Sequence, residues 1–139
     1  AGVPVLQECK TTIREAKAQK LDELRLYDSS EEVNQFSINK VFGWFNKSTR
    51  VGLANSINIE REVGRSKTNI WLGDTLFILP IEKAIDMLCQ LELYALTCYN
   101  VTQGHINIIN QLETKESIEF YDFRIGYPKK LSFTGYPTL

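Results

Sequence analysis

The chain contains few of the residues from which catalytic and metal sites are built. Among 139 residues there are one histidine, His105, and three cysteines, Cys9, Cys89 and Cys98. One histidine cannot form a multi-histidine metal site, and the closely spaced Cys/His pairs of structural zinc sites do not occur. Cys89 and Cys98 lie nine residues apart on a predicted helix and point to nearly opposite faces, which excludes a disulfide between them. We expect free, buried thiols in a reducing compartment, no metal and no cofactor.

Long apolar runs and an excess of one charge are also lacking. No run approaches the roughly 18–20 apolar residues of a membrane span, and the first residues lack the basic and apolar regions of a signal peptide. The formal net charge is −1, with acids and bases mixed along the chain. Nucleic-acid binding usually needs a denser basic face. We therefore expect no membrane span, no signal peptide and no nucleic-acid partner.

The most apolar part of the chain is residues 80–112, which we predict as a long central helix. Pro80 suits a first helical turn because it lacks a backbone N–H. The polar residues of its first two thirds recur at helical period in one narrow stripe: Asp86, Gln90, Thr97 and Asn100. Nearly everything outside the stripe is apolar or aromatic. We expect other elements to cover this helix on several sides.

Residues 1–20 are predicted as an N-terminal arm and helix outside the main body. The helical composition extends over residues 5–26, with a narrow apolar stripe through Leu6, Ile13, Leu21 and Leu24. The first half carries few large apolar groups. It could therefore project and contact a sister chain through Leu6 and Ile13, as a short coiled coil, or it could simply fray in solvent.

Two consecutive hairpin–helix units, residues 35–63 and 68–112, are predicted in the middle of the chain. Asn39-Lys40 separates Phe36 and Ile38 from Val41 and suits a tight turn, because asparagine accepts positive φ. Gly73-Asp74 between two apolar runs is a strong hairpin signal.

A helix is predicted over residues 47–63. Asn46 or Ser48 can cap its start, and Gly64 can close its end. Its expected inner face consists of Val51, Leu53 or Ala54, Ile57 and Ile59.

The predicted fold class is α+β, with residues 21–125 as the body. Four short strands form one small antiparallel sheet packed on the long central helix. Trp44 and Trp71 occupy corresponding places in the two hairpins, so we expect them to pack together beneath the helices. At 139 residues the length suits one domain.

Residues 126–139 are predicted as an extended C-terminal tail, preceded by a short aromatic-rich helix over 116–123. The tripeptide Gly-Tyr-Pro occurs twice, nine residues apart, and is incompatible with helix. The tail could add an edge strand to its own sheet or to a neighbour's. Its candidate partner contacts are Tyr127, Pro128, Tyr136 and Pro137.

The spacing of several motifs resembles a small domain family of tailed phages and prophages, including those of gut Bacteroides-type bacteria. The resemblance covers residues 21–133, leaves residues 1–20 outside, and has no short chemical motif at its centre. The matching motifs are Tyr27-Asp28-Ser29-Ser30, Val33-Asn34, Trp44, Arg50, Trp71-Leu72, Leu93-Tyr94-Ala95, Cys98-Tyr99, His105, Tyr121-Asp122 and Gly126-Tyr127-Pro128-Lys129-Lys130-Leu131. This family often lies near tail or tail-fibre genes. The resemblance implies a phage structural or tail-assembly setting and no reaction.

Isolated polar residues offer little catalytic chemistry. We expect His105 to be a hydrogen-bonded helix residue, and Glu82 and Asp86 to reflect the charge preference of a helix start. The leading hypothesis is a non-enzymatic virion or assembly protein, in the virion or the host cytoplasm, that contacts copies of itself or other phage structural proteins. The alternatives are a carbohydrate- or small-ligand-binding module using Trp44 or Trp71, and a regulator that binds a host component.

Overall fold

The computed structural model describes the backbone of residues 5–135 and the side chains of residues 12–135. Within this range the fold is α+β, as predicted, with a long helix at its centre. The elements in chain order are α1 Val5–Asp28, β1 Phe36–Ile38, β2 Val41–Gly43, α2 Lys47–Glu62, β3 Lys67–Leu72, β4 Thr75–Pro80, α3 Ile81–Gln111, α4 Lys115–Glu119 and β5 Ser132–Phe133.

The described chain divides into two compact units. The helical unit comprises residues 5–33 and 97–127, and the mixed unit comprises residues 34–96 and 128–135. Helix α3 contributes residues 81–96 to the mixed unit and residues 97–111 to the helical unit. The boundaries after residues 20 and 125 that the sequence suggested stay predictions.

Both predicted hairpins form at the predicted turns. Asn39 and Lys40 have φ values of 49° and 68°, and β1 pairs with β2 in antiparallel register around them. Gly73 has a φ of 60°, and the two-residue turn that it shares with Asp74 joins β3 to β4. Positive φ at these positions matches the turn twist to the right-handed twist of the strands.

The four hairpin strands do not form one antiparallel sheet, so that prediction is wrong. β1 lies between antiparallel β2 and parallel β5, whereas β3 and β4 form a separate two-stranded sheet. β5 occupies the second edge of β1, and β2 does not pair with β3. Where β2 approaches β3, the Leu72 side chain lies over Gly43, and a Cβ there would overlap it. The C-terminal segment thus adds its strand to its own sheet, one of the two predicted possibilities.

Helix α2 has the predicted caps at both ends. The Asn46 side chain accepts a hydrogen bond from the Thr49 N–H at 2.9 Å. Gly64 has a φ of 87°, and its N–H donates to the Arg61 carbonyl while the Arg65 N–H donates to the Glu60 carbonyl. This pair of bonds is the Schellman arrangement, which satisfies carbonyls at the end of a helix.

The inner face of α2 follows the prediction in part. Ile57 is buried and Leu53 and Ala54 pack against the core, as predicted, whereas Val51 and Ile59 are exposed. Arg50 is also buried. Arg50 and Ile57 are seven positions apart and therefore share a face. The expected apolar stripe is displaced because a buried arginine occupies a core-facing position.

The mixed unit has its core between the β3–β4 hairpin and the first half of α3. Along β3 the residues alternate between exposed and buried, with Thr68, Ile70 and Leu72 inside. This period of two places one face of the hairpin on the core. The buried partners from β4 and α3 are Phe77, Leu79, Ile81, Ala84, Met87, Leu88 and Leu91.

Helix α3 buries one stripe, so the prediction that it is covered on several sides is wrong within the described residues. The buried positions recur at intervals of three or four residues from Ile81 to Ile109. Leu93, Leu96 and Tyr99 are 64%, 54% and 59% exposed. Apolar side chains of α3 therefore also lie outside the stripe that the described residues bury. No helix in the described range combines the length and apolar character needed to cross a membrane.

The helical unit is held by α1, the second half of α3 and the segment around α4. Leu24, Ile109 and Phe123 form one cluster of its buried apolar residues. The Lys20 ammonium donates to the carbonyls of Glu119 and Tyr121 at 2.9 and 3.3 Å. A cation beside the last carbonyls of a helix is favourable, because these carry partial negative charge. The predicted helix over 116–123 is shorter than expected, since α4 ends at Glu119.

The one-sided burial of α3 predicts unequal costs for two leucine truncations. Leu91 is fully buried, whereas Leu96, five residues later, is 54% exposed. Leu91→Ala should lower the free energy of unfolding by about 2–5 kcal/mol, because it leaves a cavity. The matched control Leu96→Ala should change it by about 0.5 kcal/mol or less. Urea denaturation measures both, and equal losses would contradict the described burial.

Candidate functional site

The residues predicted to contact partners fall in different places. The side chain of Leu6, and Tyr136 and Pro137, lie outside the described residues, while Ile13 is half-buried on α1. Tyr127 is half-buried in the helical unit, where its hydroxyl is hydrogen-bonded to the Thr102 hydroxyl at 2.7 Å. Pro128 is half-buried at the start of the C-terminal segment of the mixed unit. The contact roles of these residues remain predictions.

His105 is hydrogen-bonded, as expected from the sequence, and its side chain is buried. Its Nε2 lies 2.8 Å from the Ile125 carbonyl, and its Nδ1 contacts the Tyr121 hydroxyl. A carbonyl can only accept, so Nε2 carries a proton and donates to Ile125, while Nδ1 shares the second hydrogen bond with the Tyr121 hydroxyl. Both nitrogens are therefore occupied, and the ring cannot take a proton from a substrate without leaving this arrangement.

A second polar chain lies one turn earlier on α3. Thr102 donates its hydroxyl proton to the Asp28 carboxylate at 2.7 Å, so Tyr127 must donate to Thr102. Burial raises the pKa of the Tyr127 hydroxyl, and the nearby Asp28 charge adds to this effect. Tyr27 packs edge-on against Tyr127, with ring centroids 5.4 Å apart. The chain Tyr127–Thr102–Asp28 thus ties the residues after α4 to α1 and α3.

Arg50 is the buried charge of the mixed unit. Its Nε donates to the Glu92 carboxylate, and one terminal nitrogen donates to the Phe45 carbonyl at 2.7 Å. The guanidinium also lies over the Trp44 ring, 5.4 Å from its centroid. The sequence drew attention to Arg50 only through the phage resemblance. The spacing Arg50, Ala54, Ile57 is the signal that could have placed it on the inner face.

An apolar groove of about 410 Å³ lies between α2 and α3 in the mixed unit. Its walls come from one stripe of each helix, and the Arg50–Glu92 pair lies among them. The lining residues are Arg50, Ala54, Asn58, Ile85, Leu88, Cys89, Glu92 and Leu93. Cys89 is exposed, so the expectation that its thiol is buried is wrong, whereas Cys98 is buried.

The outward face of the β3–β4 hairpin carries the second tryptophan. Trp71 is 58% exposed, whereas Trp44 packs against Tyr94 and Phe36. The expected packing of the two tryptophans beneath the helices is therefore wrong. Lys67 and Asn69 share the outward face with Trp71, because alternate residues of a strand point the same way.

A polar cavity of about 550 Å³ opens beside Lys67 and Asn69. It contains Glu60, which accepts hydrogen bonds from Thr68 at 2.6 Å and from Arg65 at 3.1 Å. These bonds, Thr68 first, hold the pKa of the Glu60 carboxyl below its ordinary value.

The two carboxylates at the start of α3 have structural partners. Glu82 lies 3.6 Å from the Arg61 guanidinium, and Asp86 accepts from the Gln90 amide at 2.7 Å. Among the described residues, no three histidine, cysteine or carboxylate side chains converge as metal ligands.

Comparison of the chain with protein-family models, with curated proteins and with solved structures gives no match.

The raised pKa of Tyr127 predicts a loss of stability at alkaline pH. The neutral hydroxyl is favoured in the folded state, so its contribution is fully present below pH about 10 and is lost as pH rises through the folded pKa. Tyr127→Phe should flatten this decline in the free energy of unfolding. Tyr99→Phe is the control, since that ring is 59% exposed. Urea denaturation at increasing pH tests this, and an unaltered decline in Tyr127→Phe would contradict it.

The geometry around Arg50 predicts that lysine cannot replace it. Lysine would lose the planar group whose nitrogens reach Glu92 and the Phe45 carbonyl together, and the contact of that group with the Trp44 ring. Arg50→Lys should therefore lower the free energy of unfolding by about 1–3 kcal/mol. Arg65→Lys is the control, because that side chain is 66% exposed and its ion pair contributes little. Equal effects of the two substitutions in urea denaturation would refute the structural role of Arg50.

Proposed function

We propose that this chain is a non-enzymatic structural or assembly protein of a tailed phage that acts through protein–protein contacts. Its partners would be copies of itself or other phage structural proteins, met in the virion or in the host cytoplasm during assembly. The sequence resemblance supports the phage setting. The contact role rests on the apolar surface of the mixed unit.

The contact role is supported by an apolar surface that consists of the α2–α3 groove and the adjoining surface of α3. The groove walls include Ile85, Leu88 and Leu93, and Leu93 and Leu96 are 64% and 54% exposed on α3. Single exposed apolar residues are common, but a contiguous apolar surface is typical of an interaction site. A partner that covers this surface would account for the high apolar content of α3.

The chemistry of the polar clusters supports the non-enzymatic part of the proposal. Both nitrogens of His105 are engaged, and the charge of Arg50 is paired with Glu92. Every buried side-chain nitrogen or oxygen among the described residues has a hydrogen-bond partner. A catalytic site usually keeps a nucleophile, acid or base available to substrate, and these clusters are closed.

The predicted contacts at the two ends remain part of the proposal. On α1 the candidates are Leu6 and Ile13. In the tail the candidates are Tyr127 and Pro128, which are both half-buried, together with Tyr136 and Pro137.

Incorporation into particles tests the proposal. We expect the full chain, produced in cells that assemble the phage, to copurify with particles or assembly intermediates at a fixed number of copies. Leu93→Asp should reduce that number because it places a charge in the apolar surface. Gln103→Asp, which adds the same charge at an exposed position of the same helix, is the control. Quantitative mass spectrometry measures the copies, and complete absence from particles and intermediates would overturn the proposal.

A carbohydrate-binding module is a second candidate, favoured by the position of Trp71. Its exposed ring has polar neighbours, Asn69 and Lys67, on the same face of the strand. Exposed aromatic rings can stack on apolar faces of ligands. Titration with a panel of sugars should then shift the tryptophan fluorescence of the parent protein and not that of Trp71→Ala. No shift with any sugar would eliminate this candidate.

A further inference from the structure

Among residues 5–135, no strand pairs with the second side of the β4 backbone. The Ile81 N–H donates to the Ser66 carbonyl at 3.0 Å, and this bond fixes which residue pairs of the hairpin exchange hydrogen bonds. In an antiparallel ladder such pairs alternate along the strands. Thr75, Phe77 and Leu79 therefore bond to β3, whereas Leu76 and Ile78 direct their N–H and C=O groups away from it. Within the described residues β3 is the only strand paired with β4.

This edge lacks the features with which proteins usually protect free strands. β4 spans six residues with the sequence TLFILP, contains no charged residue, and has its only proline at its end. The other free edges are weaker candidates, because β2 has three residues, β5 has two, and β3 carries Lys67. A long, uncharged, apolar edge is a site of strand addition.

We propose that the β4 edge pairs with β4 of a second copy of this chain, in antiparallel register about a two-fold axis at Phe77. This register places Leu76 opposite Ile78 of the other copy. Each such pair exchanges two hydrogen bonds, so the symmetric dimer gains four. Pro80 lies outside these pairs, and its missing N–H costs nothing. The inference deepens the proposed function because it names one contact between copies of this chain. It rests on the proposed function only where it counts this contact among the proposed protein–protein contacts.

In this register the apolar side chains along β4 of one copy also lie opposite apolar side chains of the other copy. Leu76 and Ile78 are half-buried on the outward face, where Trp71 is the cross-strand neighbour of Leu76. In the dimer, Leu76 of each copy would lie directly beside Ile78 of the other. Directly opposed apolar side chains stabilise a strand pair, and no like charges meet across this edge.

Sedimentation of the full chain tests the proposal. The parent protein should approach twice the 16.0 kDa of one chain as its concentration rises, and should not grow further, because a two-fold contact closes. Ile78→Pro removes the outward N–H from each copy, and thus two of the four hydrogen bonds, while sparing the bonds to β3. We expect the dimer dissociation constant to rise at least about tenfold.

A second variant pair keeps the test independent of the proline. Ile78→Lys adds a charge to the edge, and Asn69→Lys adds the same charge on the same face, one strand further from the proposed interface. Ile78→Lys should weaken the dimer at least about tenfold and Asn69→Lys less than about threefold. Circular dichroism should show all three variants folded.

Three results would overturn the proposal: a parent protein that is monomeric at every concentration, an open-ended assembly, or a dimer that the Ile78 variants leave unchanged. A chain that enters phage particles but shows one of these results would overturn the β4 contact and leave the proposed function standing. A chain that forms the β4 dimer but is absent from particles and intermediates would overturn the proposed function and leave the β4 contact standing.

Discussion

The mixed unit depends on the packing of one face of the β3–β4 hairpin against one stripe of α3. Ile70, Phe77 and Leu79 meet the helix residues Ala84 and Met87 in a single buried cluster. A two-stranded hairpin has little stability alone, so this face must be covered for the hairpin to persist. This packing covers one face of the hairpin and one stripe of the helix. The residues that the structure describes leave the outward face of the hairpin partly exposed and the outer edge of β4 unpaired.

The two units are held by different chemistry. The mixed unit contains a large apolar cluster with one buried cation, Arg50, paired to Glu92. The helical unit has a smaller apolar cluster, and hydrogen bonds of His105 and of Thr102 connect its segments. Networks of this kind fix a segment in one position, because each broken bond leaves a buried polar group unsatisfied. Both arrangements suit a protein that presents stable surfaces.

Local signals in the sequence predicted local structure well. Gly73-Asp74 and Asn39-Lys40 marked the turns, and Asn46 and Gly64 marked the ends of α2, because these geometries need particular residues. The pairing of β1 with β5 joins residues 95 positions apart, such as Ser37 and Ser132, and no local pattern encodes it. The outer leucines of α3 were misjudged because apolar composition shows that a surface avoids water, but does not show what covers it. The burial of Arg50 was not predicted because its partner Glu92 is 42 positions away, and no local pattern indicates that ion pair.

The central claim is that, within the described residues, the backbone of β4 is hydrogen-bonded to β3 on one side and unpaired on the other. Residue-resolved amide hydrogen exchange in dilute solution tests it most directly. We predict slow exchange at Phe77 and Leu79, whose amides bond to β3, and fast exchange at Leu76 and Ile78, whose amides point outward. Uniform protection of all four amides, or an alternation of the opposite phase, would contradict the account.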